Sequence, residues 1–259
     1  MIRVTDVFHH FGLQPVLREV CFEVESGQTL AIIGPNGMGK TTLLNILAGM
    51  ISPAGGVVEI NGLRRRSTVD HELAIRQQTF FLPADFWLPS GVTGRQFVLA
   101  VGDTWGVPER ALLEHTEQLL DLFHLTRVAD SSARGYSSGQ QKKLGLCAAL
   151  VTESPVLLLD EPFSGGLDPA GLTAIKQILK QLTQSSHRTV VLTSPVPELV
   201  QEVADEVLVL DDGRVLMHGS VEQVIRETDA ASLDEALRRL IFPDTAEALT
   251  RYLNRQVAE

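Results

Sequence analysis

The chain has 259 residues, enough for one large domain or two small ones and for a sizeable core without staples. Hydrophobic residues make up 44% and charged residues 21%, values that exclude a disordered or fibrous chain. The 32 acidic and 22 basic residues leave a net charge of −10, which repels nucleic-acid phosphates and argues against a general DNA or RNA binder.

Two cysteines, Cys21 and Cys147, are too few for a disulfide framework and suit a reducing compartment. Their apolar neighbours predict two buried thiols rather than a redox pair. The longest unbroken apolar stretch, residues 144–151, is eight residues long, well short of the about 20 that cross a bilayer. Residues 1–12 lack a signal peptide's apolar centre. These features predict a cytoplasmic protein.

Residues 2–7 alternate and predict a strand, with residues 21–24 as its partner. Residues 29–33 form a short apolar run, as expected of a strand covered on both faces. A glycine-rich turn follows, and residues 41–50 are apolar at helical spacing. Strands are predicted at 57–60 and 79–82, with Asn61-Gly62 as a turn after the first. From about 84 to 153 the strand signals vanish and helical spacing takes over, predicting a helical insert. Strands return at 156–159, 189–193, 206–210 and 214–217, with a helix at about 169–184. This alternation implies a mainly parallel sheet with helices on its faces. The tail carries two helical patterns split by Pro243.

Gly34-Pro35-Asn36-Gly37-Met38-Gly39-Lys40-Thr41, continuing into Thr42, fits G-x-x-x-x-G-K-[ST] between a strand and a helix. Its glycines let backbone N–H groups turn toward phosphates, and the helix N-terminus adds its positive dipole end. Lys40 would reach the β- and γ-phosphates and the Thr41 hydroxyl would ligate Mg²⁺. Downstream, Val156-Leu157-Leu158-Leu159-Asp160-Glu161 is an apolar strand ending in two acids, at the edge where α/β sheets bind ligands. Asp160 would hold the hydrated Mg²⁺ and Glu161 would polarise the attacking water.

Tyr136-Ser137-Ser138-Gly139-Gln140-Gln141-Lys142-Lys143 precedes that strand and opens a helix. In this order, with VLLLDEP and GGLDP after it, the segment resembles the L-S-G-G-Q signature of ATP-binding cassette (ABC) proteins. The resemblance, over about residues 2–226, is to the nucleotide-binding subunit of an ABC transporter. It implies an α/β phosphate-loop NTPase fold of the ABC type: a mixed, mainly parallel sheet with an antiparallel β edge and a helical subdomain. Residues 1–226 would form the nucleotide-binding domain, with the helical subdomain at about 84–153, and residues 227–259 a C-terminal helical tail. The ligands implied are ATP and Mg²⁺. The partners are a second cassette, as homo- or heterodimer, and an integral membrane transporter subunit that holds the chain on the cytoplasmic face; no nucleic acid is expected. Ser137, the Gly139 backbone and Gln140 would meet the partner cassette's ATP, and Phe11 stands where the family stacks an aromatic on adenine.

Measured against the family, Tyr136 replaces the usual Leu of the signature and Ser138 its first Gly. Ala84 stands where a glutamine usually helps to ligate Mg²⁺ and orient water, with Asp85 beside it as a candidate substitute. Pro195 stands in place of the switch histidine, and proline has no side-chain donor and no N–H; Ser194 can offer one hydrogen bond. The turn Ser164-Gly165-Gly166-Leu167-Asp168 is one residue longer than usual, a looser segment at the dimer interface. These departures predict ATP binding with slow hydrolysis, in a transport motor or in an ATP-gated regulatory subunit. Arg64-Arg65-Arg66 are expected to be solvated. Phe86, Trp87, Phe97 and Trp105 form either insert core or the groove for a membrane subunit's coupling helix. The pattern from Ser232 resembles exporter-type endings.

Overall fold

The computed structural model describes residues 1–242; the second helical pattern of the tail lies outside them. The chain opens with β1 (Ile2–Phe11), β2 (Gln14–Val24) and β3 (Thr29–Ile33), and α1 (Lys40–Ala48) follows the glycine-rich turn. Next come β4 (Gly55–Ile60), β5 (Leu63–Arg64), α2 (Val69–Gln78) and β6 (Thr79–Leu82). The helical insert consists of α3 (Gly94–Thr104), α4 (Glu109–Leu122) and α5 (Ser138–Val151), with two short 3₁₀ turns between α4 and α5. Then β7 (Val156–Leu159), α6 (Pro169–Ser186), β8 (Thr189–Thr193), α7 (Pro197–Val203), β9 (Glu206–Asp211), β10 (Arg214–Ser220), α8 (Val221–Glu227) and α9 (Leu233–Ile241) complete the fold.

Two sheets result. The larger runs β10-β9-β3-β8-β7-β6, parallel except for β10, and the smaller runs β2-β1-β4-β5, antiparallel throughout. Strand alternation divides the apolar mass. Leu30 and Ile32 of β3 face one core, with α1 and the antiparallel sheet; Ala31 and Ile33 face the other, with α5, α6 and α7. A strand buried on both faces reads as an unbroken apolar run, so 29–33, 79–82, 156–159 and 189–193 agree residue for residue with the expected strands.

Elsewhere the elements extend past their apolar pattern. β1 and β2 are longer than expected because register shifts interrupt their ladder and their outer faces carry polar residues. Helix α2 had no expected counterpart, since it buries only Ile75. Its start is held by Thr68, whose hydroxyl accepts the His71 N–H at 3.1 Å.

Two expectations are corrected. Cys21 is exposed on β2, exchanging hydrogen bonds with Asp6 at 3.1 Å, and only Cys147 is buried, where burial pushes its thiol up. The apolar neighbours of Cys21 occupy the inward face of an alternating strand, so the cysteine between them points out. Nor are the three arginines all solvated. Arg65 is buried, with Nη1 2.7 Å from Glu72 Oε1 and Nε donating to the Leu47 carbonyl at 2.6 Å. Arg66 donates to the Gly49 carbonyl at 3.2 Å. Both therefore satisfy carbonyls at the end of α1 that have no intrahelical partner. Arg65→Met leaves Glu72 without its buried partner and a helix carbonyl bare. It is expected to cost about 3 kcal/mol in urea unfolding, whereas Arg64→Met, on the exposed side, costs under about 0.5 kcal/mol.

Candidate functional site

The phosphate loop rises from the C-terminal end of β3. Gly39 takes φ +99° just before α1, and a side chain there would press on Leu17 at 2.8 Å and on the Val16 carbonyl at 2.9 Å. The loop is thus wedged against the β1–β2 hairpin. Helix α1 starts with no side-chain cap and no acidic residue in its first turn. Its leading N–H groups are free donors at a positive dipole end, the arrangement that binds anions. Lys40 is buried, and its Nζ donates to the Gly34 and Pro35 carbonyls at 2.8 and 2.9 Å, which draw the ammonium over the loop. Burial pushes the Lys40 ammonium down, and the Glu161 and Asp160 carboxylates push it back up. Thr41, Asn36 and Gly37 are exposed, while Pro35, Met38 and Thr42 are half-buried.

Asp160 is 1% exposed at the end of β7. Its Oδ1 accepts from Thr41 Oγ1 at 3.3 Å and from Thr193 Oγ1 at the end of β8. Thr193 Oγ1 in turn accepts the Glu161 N–H at 2.9 Å. Glu161 has φ +47°, a conformation that costs a non-glycine residue free energy and recurs at functional sites. Two parallel strands and the loop helix therefore meet on one carboxylate. The sequence places Thr193 only as the last residue of an apolar strand and carries no signal of its role at the site.

The start of α5 lies apart, and no hydrogen bond joins it to the loop among the described residues. Ser137 accepts the Gln140 N–H at 3.3 Å and Gln140 Oε1 accepts the Ser137 N–H at 2.9 Å, a capping box. The box leaves the exposed Ser137 hydroxyl its proton to donate. A Cβ on Gly139 would come 2.5 Å from the Gly166 carbonyl, so the lengthened glycine turn packs against this helix start. Tyr136, in the usual leucine position, is buried and donates to the Val128 carbonyl at 2.6 Å. Its hydroxyl fits because residue 94 is glycine, where any Cβ would overlap it.

Phe11, at the tip of the hairpin, is 55% exposed and sits edge-on against His9 at 4.8 Å, so it is a free ring rather than core. Ser194 is buried, its Oγ accepting the Val196 N–H at 3.1 Å, and Pro195 follows it. Ala84 follows β6 and Asp85 beside it is exposed. Of the aromatic group, Phe86 stacks on Phe97 at 6.5 Å and Trp105 packs on Phe80 at 5.1 Å, all as insert core. Trp87 alone projects, 73% exposed.

Comparison with known proteins accounts for this arrangement. The ABC transporter family model matches residues 17–164. The daunorubicin resistance ATP-binding protein DrrA3 of Streptomyces coeruleorubidus is 31% identical over 237 residues, 92% of this chain and 73% of its own. The energy-coupling factor transporter ATP-binding protein EcfA of Methanothermobacter thermautotrophicus is 33% identical over 254 residues, 97% and 79% respectively. Among solved structures, the ATP-binding subunit of an ABC transporter superposes with a TM-score of 0.85 at 28% identity, covering 93% of this chain and 99% of its own. The cassette MJ0796, a dimer in a post-hydrolysis state with ADP and Pi, gives a TM-score of 0.77 at 25% identity, covering 85% and 98%. The chain belongs to the ABC transporter family, as an ATP-binding subunit.

Thr193→Val keeps the side-chain shape but leaves Asp160 and the Glu161 N–H without their shared hydroxyl. Urea unfolding is expected to show a loss of about 2 kcal/mol, and Thr193→Ser to recover most of it. A valine variant as stable as the parent would remove Thr193 from the account of the site.

Proposed function

We propose that this ABC cassette binds and slowly hydrolyses ATP at a head-to-tail dimer interface, driving a membrane subunit on a separate polypeptide. The observation that carries the reading is the Asp160 carboxylate, shared by the Thr41 and Thr193 hydroxyls at the mouth of an uncapped phosphate loop. No helix of the described residues is long and apolar enough to cross a membrane, which supports a separate membrane partner. We place the chain on that partner's cytoplasmic face.

The residues take the following roles. The loop Gly34-Pro35-Asn36-Gly37-Met38-Gly39 and the leading N–H groups of Lys40, Thr41 and Thr42 cradle the phosphates, and the Lys40 ammonium neutralises the terminal ones. Phe11 offers its free face to adenine. Glu161 orients water and takes its proton. Ser137, Gly139 and Gln140 serve the nucleotide of the second cassette, so each composite site draws its loop from one chain and its signature from the other. A solved relative dimerises with ADP and Pi, which supports this pairing.

Thr41 and Asp160 offer two oxygen ligands, their Oγ1 and Oδ1 atoms 3.3 Å apart. That fits Mg²⁺, a hard ion that completes its shell with substrate phosphates and water. When bound, Mg²⁺ would supply positive charge to the phosphates.

Slow turnover follows from two positions. Ala84 offers no side-chain donor to the site, and Pro195 offers neither side-chain nor backbone donor. The nearby Ser194 hydroxyl accepts the Val196 N–H and keeps one proton to donate, but it is buried and has no protonatable ring to replace a histidine. Loss of one transition-state contact costs about 10²–10³ in rate. The same two positions favour a second reading, an ATP-gated regulatory subunit with little hydrolysis.

Steady-state hydrolysis and nucleotide titration test both readings. Lys40→Ala is expected to abolish ATP binding, and Glu161→Gln to keep binding while losing at least about 10²-fold in turnover. Ala84→Gln/Pro195→His is expected to raise turnover by about tenfold or more. A parent chain that fails to bind ATP would sink the proposal; turnover at background favours the regulatory reading.

A further inference from the structure

Lys142 lies one turn into α5 and is 3% exposed. Its neighbour Lys143 has a conventional partner, with Nζ 2.7 Å from Asp168 Oδ2. Among the described residues Lys142 has no carboxylate within 4.0 Å. Instead its Nζ donates to the carbonyls of Ala84 and Asp160, each at a long 3.4 Å. A buried ammonium without a paired charge is costly and calls for a reason.

Its position supplies one. Strands β6 and β7 are parallel neighbours with Leu82 opposite Leu159, so residues 83–84 and 160–161 leave the sheet side by side. The Lys142 ammonium sits across that edge and holds both departing backbones from behind. Asp160, Glu161 and Asp85 are the carboxylates whose fields oppose the desolvation of this lysine. Gly165, in the lengthened turn, lies along its stem, where a Cβ would meet Cβ, Cγ and Cδ at 3.6, 3.7 and 3.8 Å. Three segments flanking the site thus rest on one side chain.

We propose that Lys142 is a positioning residue for ATP hydrolysis, fixing the Ala84 turn against the Asp160-Glu161 edge and so aiming Glu161. The role is indirect: the ammonium grips backbone, and Glu161 acts on water. It meets through carbonyls a need that a longer polar side chain at position 84 could meet directly, since that residue emerges beside the Asp160-Glu161 edge. The inference rests on the ATPase reading above.

The test is a double-mutant cycle between Lys142→Met and Ala84→Gln, followed by kcat, KM, ATP affinity with a fluorescent ATP analogue, and thermal unfolding. With Ala84 in place, Lys142→Met is expected to lower kcat about tenfold while the analogue's Kd moves less than about twofold. With Gln at 84, the same change is expected to cost less than about threefold. A purely structural lysine would lower stability equally in both backgrounds and show no such rescue in kcat. The inference is overturned if kcat is unaffected, or if its fall is the same with Ala or Gln at 84. Should Lys142→Met not fold, Lys142→Gln is read by the same criterion. A parent that binds no ATP overturns the function proposed above and this inference with it. A parent that turns over at the rate of Lys142→Met overturns this inference alone.

Discussion

One carboxylate organises the molecule's working edge. Asp160 is buried where an unpaired charge would be prohibitive, and two hydroxyls make it tolerable. Thr41 brings the first N-terminal turn of α1 to it, and Thr193 brings the end of β8. Thr193 then fixes the next residue by accepting the Glu161 N–H. The glycine-rich loop, two central strands and the candidate base are therefore placed relative to one another through a single side chain. The periphery is held differently: the hairpin tip at Phe11 turns at Gly12, whose φ is +58°, and the start of α5 is closed by its capping box.

The sheet explains why such an edge can exist. Five parallel strands end on the same side, and each one central to the site is covered on both faces by apolar side chains. Full burial of one Leu or Ile stabilises by about 1.5–3 kcal/mol, and every residue of β3, β7 and β8 is buried. That rigid support holds a buried Asp160 beside a left-handed Glu161.

How legible each part was in the sequence follows from where its physics lies. Strands buried on both faces carry their signal as an apolar run, and the phosphate loop carries its own in glycine spacing, so both could be read directly. Helix α2 could not, because Val69 and Leu73 face solvent and only Ile75 is buried; its cap at Thr68, with Asp70 and Glu72 in the first turn, was the available cue. Cys21 and Arg65 depart from the sequence expectation for related reasons. In an alternating strand the sequence neighbours of a residue report on the opposite face. A run of arginines says nothing of which one meets a helix end folded against it. Thr193 and Lys142 were missed because their partners are far away in sequence, at Asp160, Glu161 and Ala84.

The buried cations show what the net charge of −10 conceals. Of the four lysines and arginines buried among the described residues, Lys143 pairs with Asp168, while Lys40 donates to Gly34 and Pro35, Arg65 to Leu47, and Lys142 to Ala84 and Asp160, all backbone carbonyls at or just past the end of a strand or helix. Such carbonyls are left over where regular hydrogen bonding stops, and a long basic side chain can reach them while its stem packs in the core. Acidic groups dominate the surface, and the few basic ones inside act as fasteners between elements. Two of these fasteners, Lys40 and Lys142, lie within the fields of Asp160 and Glu161. Desolvation pushes both ammonium groups down, and those two carboxylates oppose it. The Lys40 ammonium over the loop and the uncapped N-terminus of α1 are what make an acidic protein locally receptive to an anion.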